Sequence, residues 1–196
     1  TSATSSGLDN VTIILTQTDN STALSEGLYD DCSITVTDPA GNTSDALFVN
    51  TFEVDTTAPT VSSTSPTDNQ SSVSVSDNIS VTFSESMDNT SVTTNTSNTT
   101  CSGYSFQVSS DSFSSCVQMG SSPSNSDNKT FTVTPSVKMF YSATYKIRVT
   151  TAAKDSAGNG IASQYTQTDG FKTTITIPTT AGSAHSCFML DNGSVK

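Results

Sequence analysis

An all-β fold, an antiparallel sandwich, is what the sequence predicts, and three features carry that expectation. Apolar residues gather in short runs that alternate with polar ones, Thr and Val dominate those runs, and clusters of Asp, Asn, Gly, Pro and Ser separate them. A period of two places alternate side chains on opposite faces of a strand, and β-branched residues suit a pleated, half-buried surface. No segment carries the 3.6-residue periodicity of a helix of three turns. The chain has 196 residues, room for one or two domains. Only 32% are hydrophobic and 13% charged, values that alone would also suit a disordered polymer. The alternation decides for an ordered protein with a lean core.

Three strand-like runs occupy the first part of the chain: VTIILTQT at 11–18, GLYDDCSITVTD at 27–38 and ALFVNTFEVD at 46–55. Cys32, Ile34 and Val36 share one face of the second, and Phe48, Phe52 and Val54 share one face of the third. With Val11, Ile13 and Leu15 they are expected to build one apolar face across three strands. Asp38-Pro39-Ala40-Gly41-Asn42 is a turn between the last two runs, since Pro presets φ and Gly-Asn accepts positive φ. Three strands do not close a two-layer sandwich. The region is therefore expected to be the later part of a domain whose first strands are missing. An extended linker follows, Asp55-Thr-Thr-Ala-Pro59-Thr60, because Pro turns its predecessor away from helix.

A fuller set of strands comes next. Ile79, Val81 and Phe83 alternate, as do Tyr104, Phe106 and Val108, then Phe131 and Val133, then Tyr145, Ile147 and Val149; Phe171 opens FKTTITI. Turn clusters at 65–69 and 155–160 separate strands, and Met87–Val92 is expected to form one helical turn. Short strands at this spacing indicate an antiparallel sandwich with Val81, Phe83, Phe106, Phe131, Tyr145, Ile147 and Val149 in its core.

The residues at this point resemble known families. Residues 28–60 resemble the closing strands and linker of bacterial immunoglobulin-like (Ig-like) repeats, with Tyr29, Ile34, Val36 and Asp38-Pro-Ala-Gly-Asn42 in the strand-turn and Val54-Asp-Thr-Thr-Ala-Pro59 at the joint. Residues 58–174 resemble the SbsA-type bacterial Ig-like domain. The markers are Pro66, ISVTFSESMDNTSV at 79–92, FTVTPSVKMFYSATYKIRV at 131–149, Asp155-Ser-Ala-Gly-Asn159 and Phe171-Lys-Thr. AGSAHSCFMLDNGSVK at 181–196 is similar to the opening hairpin of an RCC1-like propeller repeat. These resemblances imply Ig-like β-sandwich domains in tandem: a partial domain over 1–57, a sandwich over 58–175, and a linker with a truncated propeller hairpin over 176–196. Both ends are then expected to be cut from a longer polypeptide. In such families Cys32 and Cys187 would pair with cysteines beyond either end; a bridge between the two is the alternative. If the 196 residues are instead a whole unit, the first domain is expected to take a strand from another copy, which would make a filament.

The remaining residues bound the function. A net charge of −11 repels nucleic acid and anionic lipid, and no apolar run is long enough to span a bilayer. Any export leader is expected upstream of Thr1. Cys101 and Cys116 flank a short strand-loop segment and are expected to form a disulfide, which implies an oxidising compartment; two free buried thiols are the alternative. The cysteines form no CxxC or Cys/His metal pattern with the single His185. There is no GxSxG, HExxH or glycine-rich phosphate loop, and Asp30 and Asp31 point to opposite faces of a strand, so no catalysis is expected. Asp38, Asn42, Asp55, Asp155 and Asn159 lie at turns or the linker and are candidate oxygen ligands for Ca2+, the joint-stiffening cation that the Ig-like resemblance implies. Among many Asn-x-Ser/Thr triplets, Asn95 and Asn98 are candidate glycosylation sites. The expected role is a structural spacer or stalk of an extracellular, adhesin-like or filament-forming bacterial surface protein. Its partners would be neighbouring Ig-like domains or other copies. The alternative is a binding module that recognises glycan or another surface ligand through sandwich loops; the absence of Trp weighs against it.

Overall fold

The structure is a computed structural model and describes residues 23–174. The run 11–18, His185, Cys187 and the hairpin 181–196 lie outside the described residues. Twelve strands follow in chain order: β1 (Gly27–Tyr29), β2 (Ser33–Ile34), β3 (Leu47–Phe48), β4 (Phe52–Val54), β5 (Val61–Ser65), β6 (Val73–Ser74), β7 (Ile79–Phe83), β8 (Phe106–Ser109), β9 (Thr130–Val133), β10 (Thr144–Val149), β11 (Tyr165–Thr166) and β12 (Phe171–Thr174). No helix occurs among the described residues. Met87–Val92, expected as a helical turn, is instead a bridge and a turn: Met87 pairs with Asp155, and the Ser91 amide donates to the Asp88 carbonyl.

Residues 27–54 form one long interrupted hairpin. β1 pairs with β4 and β2 with β3, both antiparallel, and the Val49 amide donates to the Cys32 carbonyl between them. The register corrects the expected common apolar face. Directly opposed residues share a face, and Ser33 opposes Phe48 while Ile34 opposes Leu47. Ile34 therefore lies on the opposite side from Phe48. The cause is a one-position offset in how the two runs face each other, and a period-two pattern is blind to that offset within either strand. Tyr29 stacks on its partner Phe52, ring centroids 5.2 Å apart. Among the described residues nothing covers Leu47 and Phe48, which are 69% and 76% exposed.

From Val61 onward the chain makes a two-layer sandwich. One sheet runs β5-β7-β9, antiparallel throughout. The other is built on β10, with β8 along one side, β11 and β12 along the other, and β6 added parallel to β12. Alternate side chains of both sheets meet between them: Val81, Phe83, Phe131 and Val133 from the first, Phe106, Val108, Tyr145, Ile147, Val149 and Phe171 from the second, all 2% exposed or less. Every residue expected in the sandwich core is there. Phe83 meets Phe131 edge-on, and Tyr145 stacks on Phe171. Full burial of one such side chain contributes about 1.5–3 kcal/mol, so this layer carries the fold.

β11 and β12 are two halves of one interrupted partner for β10. Arg148 pairs with Thr166, but Tyr145 pairs with Phe171, a register two residues longer. The extra residues loop out at 167–170, and three features hold the loop. Gln167 exchanges hydrogen bonds with Ile147: its amide donates to the Ile147 carbonyl, and its side-chain Oε1 accepts from the Ile147 amide at 3.0 Å. The Asp68 carboxylate accepts from the amides of Thr168, Asp169 and Gly170. Gly170 itself sits at φ +80°, where a Cβ would lie 2.2 Å from the Tyr145 carbonyl oxygen. Gly170→Ala is therefore expected to destabilise the sandwich by about 3 kcal/mol or more, read as a lower midpoint in urea unfolding at unchanged slope.

Candidate functional site

The same local turn occurs twice, once at the end of the sandwich that meets the hairpin and once at the hairpin tip. Asp155-Ser-Ala-Gly-Asn159 closes on itself: the Asp155 carboxylate accepts from the Asn159 amide at 2.8 Å and from its side-chain Nδ2 at 2.9 Å, while the Asp155 amide donates to the Asn159 carbonyl. Asp38-Pro-Ala-Gly-Asn42 repeats this pattern at the hairpin tip, with 2.8 Å for both carboxylate bonds. The glycines Gly41 and Gly158 stand at φ +92° and +100°, which an L side chain rarely adopts. Asp38 and Asn42 thus satisfy each other. These bonds from Asn42, with those from Ala40 and Gly41, hold the Asp38 carboxyl below its ordinary value.

The second copy differs in where it stands. The Asn159 Nδ2 also donates to the Asp55 carbonyl at 3.0 Å, tying the loop after β10 to the end of the hairpin. Across the same joint Glu26 accepts from the hydroxyls of Thr56 and Thr57 at 3.0 and 2.7 Å. Ser156 donates to the Ser86 carbonyl, and the Met87–Asp155 bridge draws the segment after β7 alongside. The result is a cluster of three carboxylates, Asp55, Glu85 and Asp155, with an oxygen of each within 4.8 Å of the others. Asp155 is buried and the other two are half-buried.

Of the five candidate calcium ligands, the structure brings Asp55, Asp155 and Asn159 together and leaves Asp38 and Asn42 in their own turn. It adds Glu85, which sequence reasoning missed. The residue sits two positions beyond β7 in a run read only as strand and turn, and its approach to Asp155 depends on pairing across about 70 residues. The carboxylates are oxygen donors of the hard type that Ca2+ takes, one from the linker and two from the sandwich segments beside it. Glu85 records the strain: burial first, then the charges of Asp55, Asp155 and Glu26, push its carboxyl up, with Lys129 a lesser opposing influence.

The other candidate residues are placed as follows. Cys101 and Cys116 are disulfide-bonded, and Cys32 is half-buried with no disulfide partner among the described residues. Asn95, a candidate for glycosylation, is 1% exposed and its Nδ2 donates to the Asn98 carbonyl. The triplet itself does not encode that burial. Asn98 is exposed.

Residues 55–175, more than half of the chain, match the family described as bacterial Ig-like domain. The chain belongs to that family. No curated protein matches. Among solved structures, the N-terminal part of the bacterial S-layer protein SbsC is 21% identical, with a TM-score of 0.41 over 60% of this chain and 24% of that one. The structure of domains 1–6 of surface layer protein SbsC is 20% identical, with a TM-score of 0.43 over 62% of this chain and 14% of that one. The chain thus spans a quarter or less of these proteins.

The Glu85 shift has a definite sign. Its folded value lies above its unfolded one, so its contribution is most favourable below the unfolded value and is lost as pH rises through the folded one. Glu85→Gln is accordingly expected to raise Tm by about 2 °C at neutral pH and to change little at pH 4, measured by calorimetry without divalent cations.

Proposed function

We propose that this bacterial Ig-like chain is a non-catalytic spacer segment of a secreted surface protein, in which a sandwich and the hairpin before it form a stiff, repeating rod. The observation that carries this reading is the joint. A linker of Thr and Pro residues would ordinarily swivel, yet here Asn159 holds the Asp55 carbonyl and Glu26 holds Thr56 and Thr57. The disulfide suits an oxidising compartment outside the cytosol. An acidic, Ser- and Thr-rich surface suits solubility at the cell exterior. Partners are neighbouring Ig-like domains of the same polypeptide or other copies in an assembly. The SbsA-type identity of 58–175 and the propeller start at 176–196 belong to this proposal, with 1–57 as the partial domain ahead of them. Spin labels at Ser44 and Ser126 test the stiffness. One narrow distance distribution that broadens in Asn159→Ala is expected, and an equally broad distribution in both proteins would defeat the spacer reading.

Calcium completes the proposal. Asp55, Glu85 and Asp155 would hold the ion, whose positive charge would relieve the repulsion that now raises Glu85. Extracellular modules bind calcium with dissociation constants of about 0.1–1 mM. At roughly tenfold that concentration, linkage stabilises by about 1.4 kcal/mol, or about 3–6 °C in Tm for a chain this size. Calorimetry with CaCl2 against EGTA is expected to show that rise in the natural protein and none in Glu85→Gln. A Tm indifferent to about 10 mM calcium would leave the cluster as solvated acids.

A further inference from the structure

A second feature lies on the outer face of the β10 sheet, away from the joint carboxylates and independent of the spacer reading. Arg148 is the single arginine of a chain with net charge −11. It opposes Gln107 across the β8–β10 ladder, and its Nε donates to the Gln107 Oε1 at 2.6 Å. Gln107 is in turn held by two further bonds, its Nε2 donating to the carbonyls of Cys101 and Tyr104 at 2.7 and 2.6 Å. The Phe113 ring covers the guanidinium, 3.9 Å from its central carbon to the ring centroid. The guanidinium plane is thus fixed by a hydrogen bond along one edge and a ring across one face. Burial lowers its basicity, and no carboxylate among the described residues offsets that. Arg148 borders an open cleft of about 390 Å³ shared with Tyr104, Gln107, Phe113, Ser102 and Thr150.

The chain accepts backbone strain to build this arrangement. Ser112 and Phe113 stand at φ +59° and +64°, two consecutive non-glycine residues in the left-handed region. L side chains seldom adopt that region, and an aromatic there is rare. The Ser109 hydroxyl accepts from the Phe113 amide, Asp111 anchors Ser109 and Ser115, and the Cys101–Cys116 disulfide ties the far end of the loop to the segment ahead of β8. Phe113 is not part of the sandwich core. Its ring lies over Arg148 instead.

We propose that this cleft is a binding site for a carboxylate-bearing sugar of the uronic acid class, with the free edge of Arg148 taking the carboxylate. A planar guanidinium with one edge open matches a carboxylate with two parallel hydrogen bonds. Phosphate-rich ligands gather several cations, and here there is one, on a protein whose net charge repels polyanions. A single charge on an otherwise neutral polyhydroxylated ligand meets both conditions. Ser102 and Thr150 supply hydroxyl partners, and Tyr104 supplies an aromatic wall.

Because Arg148 is the only arginine, the chain gives one arginine Nε–Hε signal in a nitrogen-15 NMR spectrum, and that signal reads the site directly. Sodium glucuronate titrated into the full 196-residue chain at fixed ionic strength is expected to shift it saturably, with a Kd of about 1 mM. Glucose is expected to leave it unmoved, and sodium acetate to bind at least about tenfold more weakly. Phe113→Ala, which keeps the arginine and frees its plane, is expected to weaken glucuronate several-fold. Arg148→Lys, followed through the Lys146 and Val149 amides, is expected to weaken it by about tenfold or more. No saturable shift with glucuronate, or acetate binding as tightly as glucuronate, overturns the proposal. So does a shift that grows with protein concentration in the absence of sugar, which would assign the carboxylate to a second copy of the chain.

Discussion

Strand β10 sits inside its sheet and must satisfy its backbone on both sides, although one partner is broken between β11 and β12. The side chain of Gln167 closes that gap by accepting from the Ile147 amide where a strand carbonyl would otherwise stand. The Gln167 Nε2 then donates to the Thr64 hydroxyl, in β5 of the opposite sheet, and to the Pro66 carbonyl just after it. One buried side chain, 2% exposed, thus repairs one sheet and bonds it to the other. A buried amide left without a partner costs about 1–3 kcal/mol. Packing of the whole core therefore assumes this bond, and Asp68 and Gly170 shape the loop that delivers it.

The break is also what allows the two ends of the sheet to differ. Beyond Ile147, β10 carries Arg148 on the outer face and runs into the loop that ends in Asn159. Before it, β10 meets β12, whose Thr173 hydroxyl donates to the Phe140 carbonyl. Core residues between the sheets hold still, while the outward residues of the same strands are free to take on chemistry. The Arg148 cleft is such an outward feature, whereas the joint carboxylates Asp55, Glu85 and Asp155 come from the segments between strands.

Two short turns show how far local rules reach. Asp38–Asn42 and Asp155–Asn159 share a pattern and fold alike, because carboxylate, amide and a glycine at positive φ satisfy one another within five residues. Their surroundings separate them: one ends a hairpin in solvent, and the other reaches Asp55 across 104 positions. A ligand expectation drawn from the pattern alone therefore treats as equals two sites that only one neighbour distinguishes.

The sequence by itself determined the strands at Ile79–Phe83, Phe106–Val108, Phe131–Val133, Tyr145–Val149 and from Phe171, though not β11, the side of each that faces the core, and the Asp-x-Ala-Gly-Asn turns. It also pointed to the Cys101–Cys116 pair, through the short segment between them. All of these depend on residues a few positions apart, where alternation and turn chemistry act directly. Tertiary structure alone decided which hairpin face Phe48 shares, that Asn95 is buried, that Glu85 joins Asp55 and Asp155, and that Phe113 covers Arg148. Each of those depends on register or on loop approach between distant segments. Pairing one residue out of step, or a loop laid a few ångströms aside, leaves every local pattern intact while changing which side chains meet.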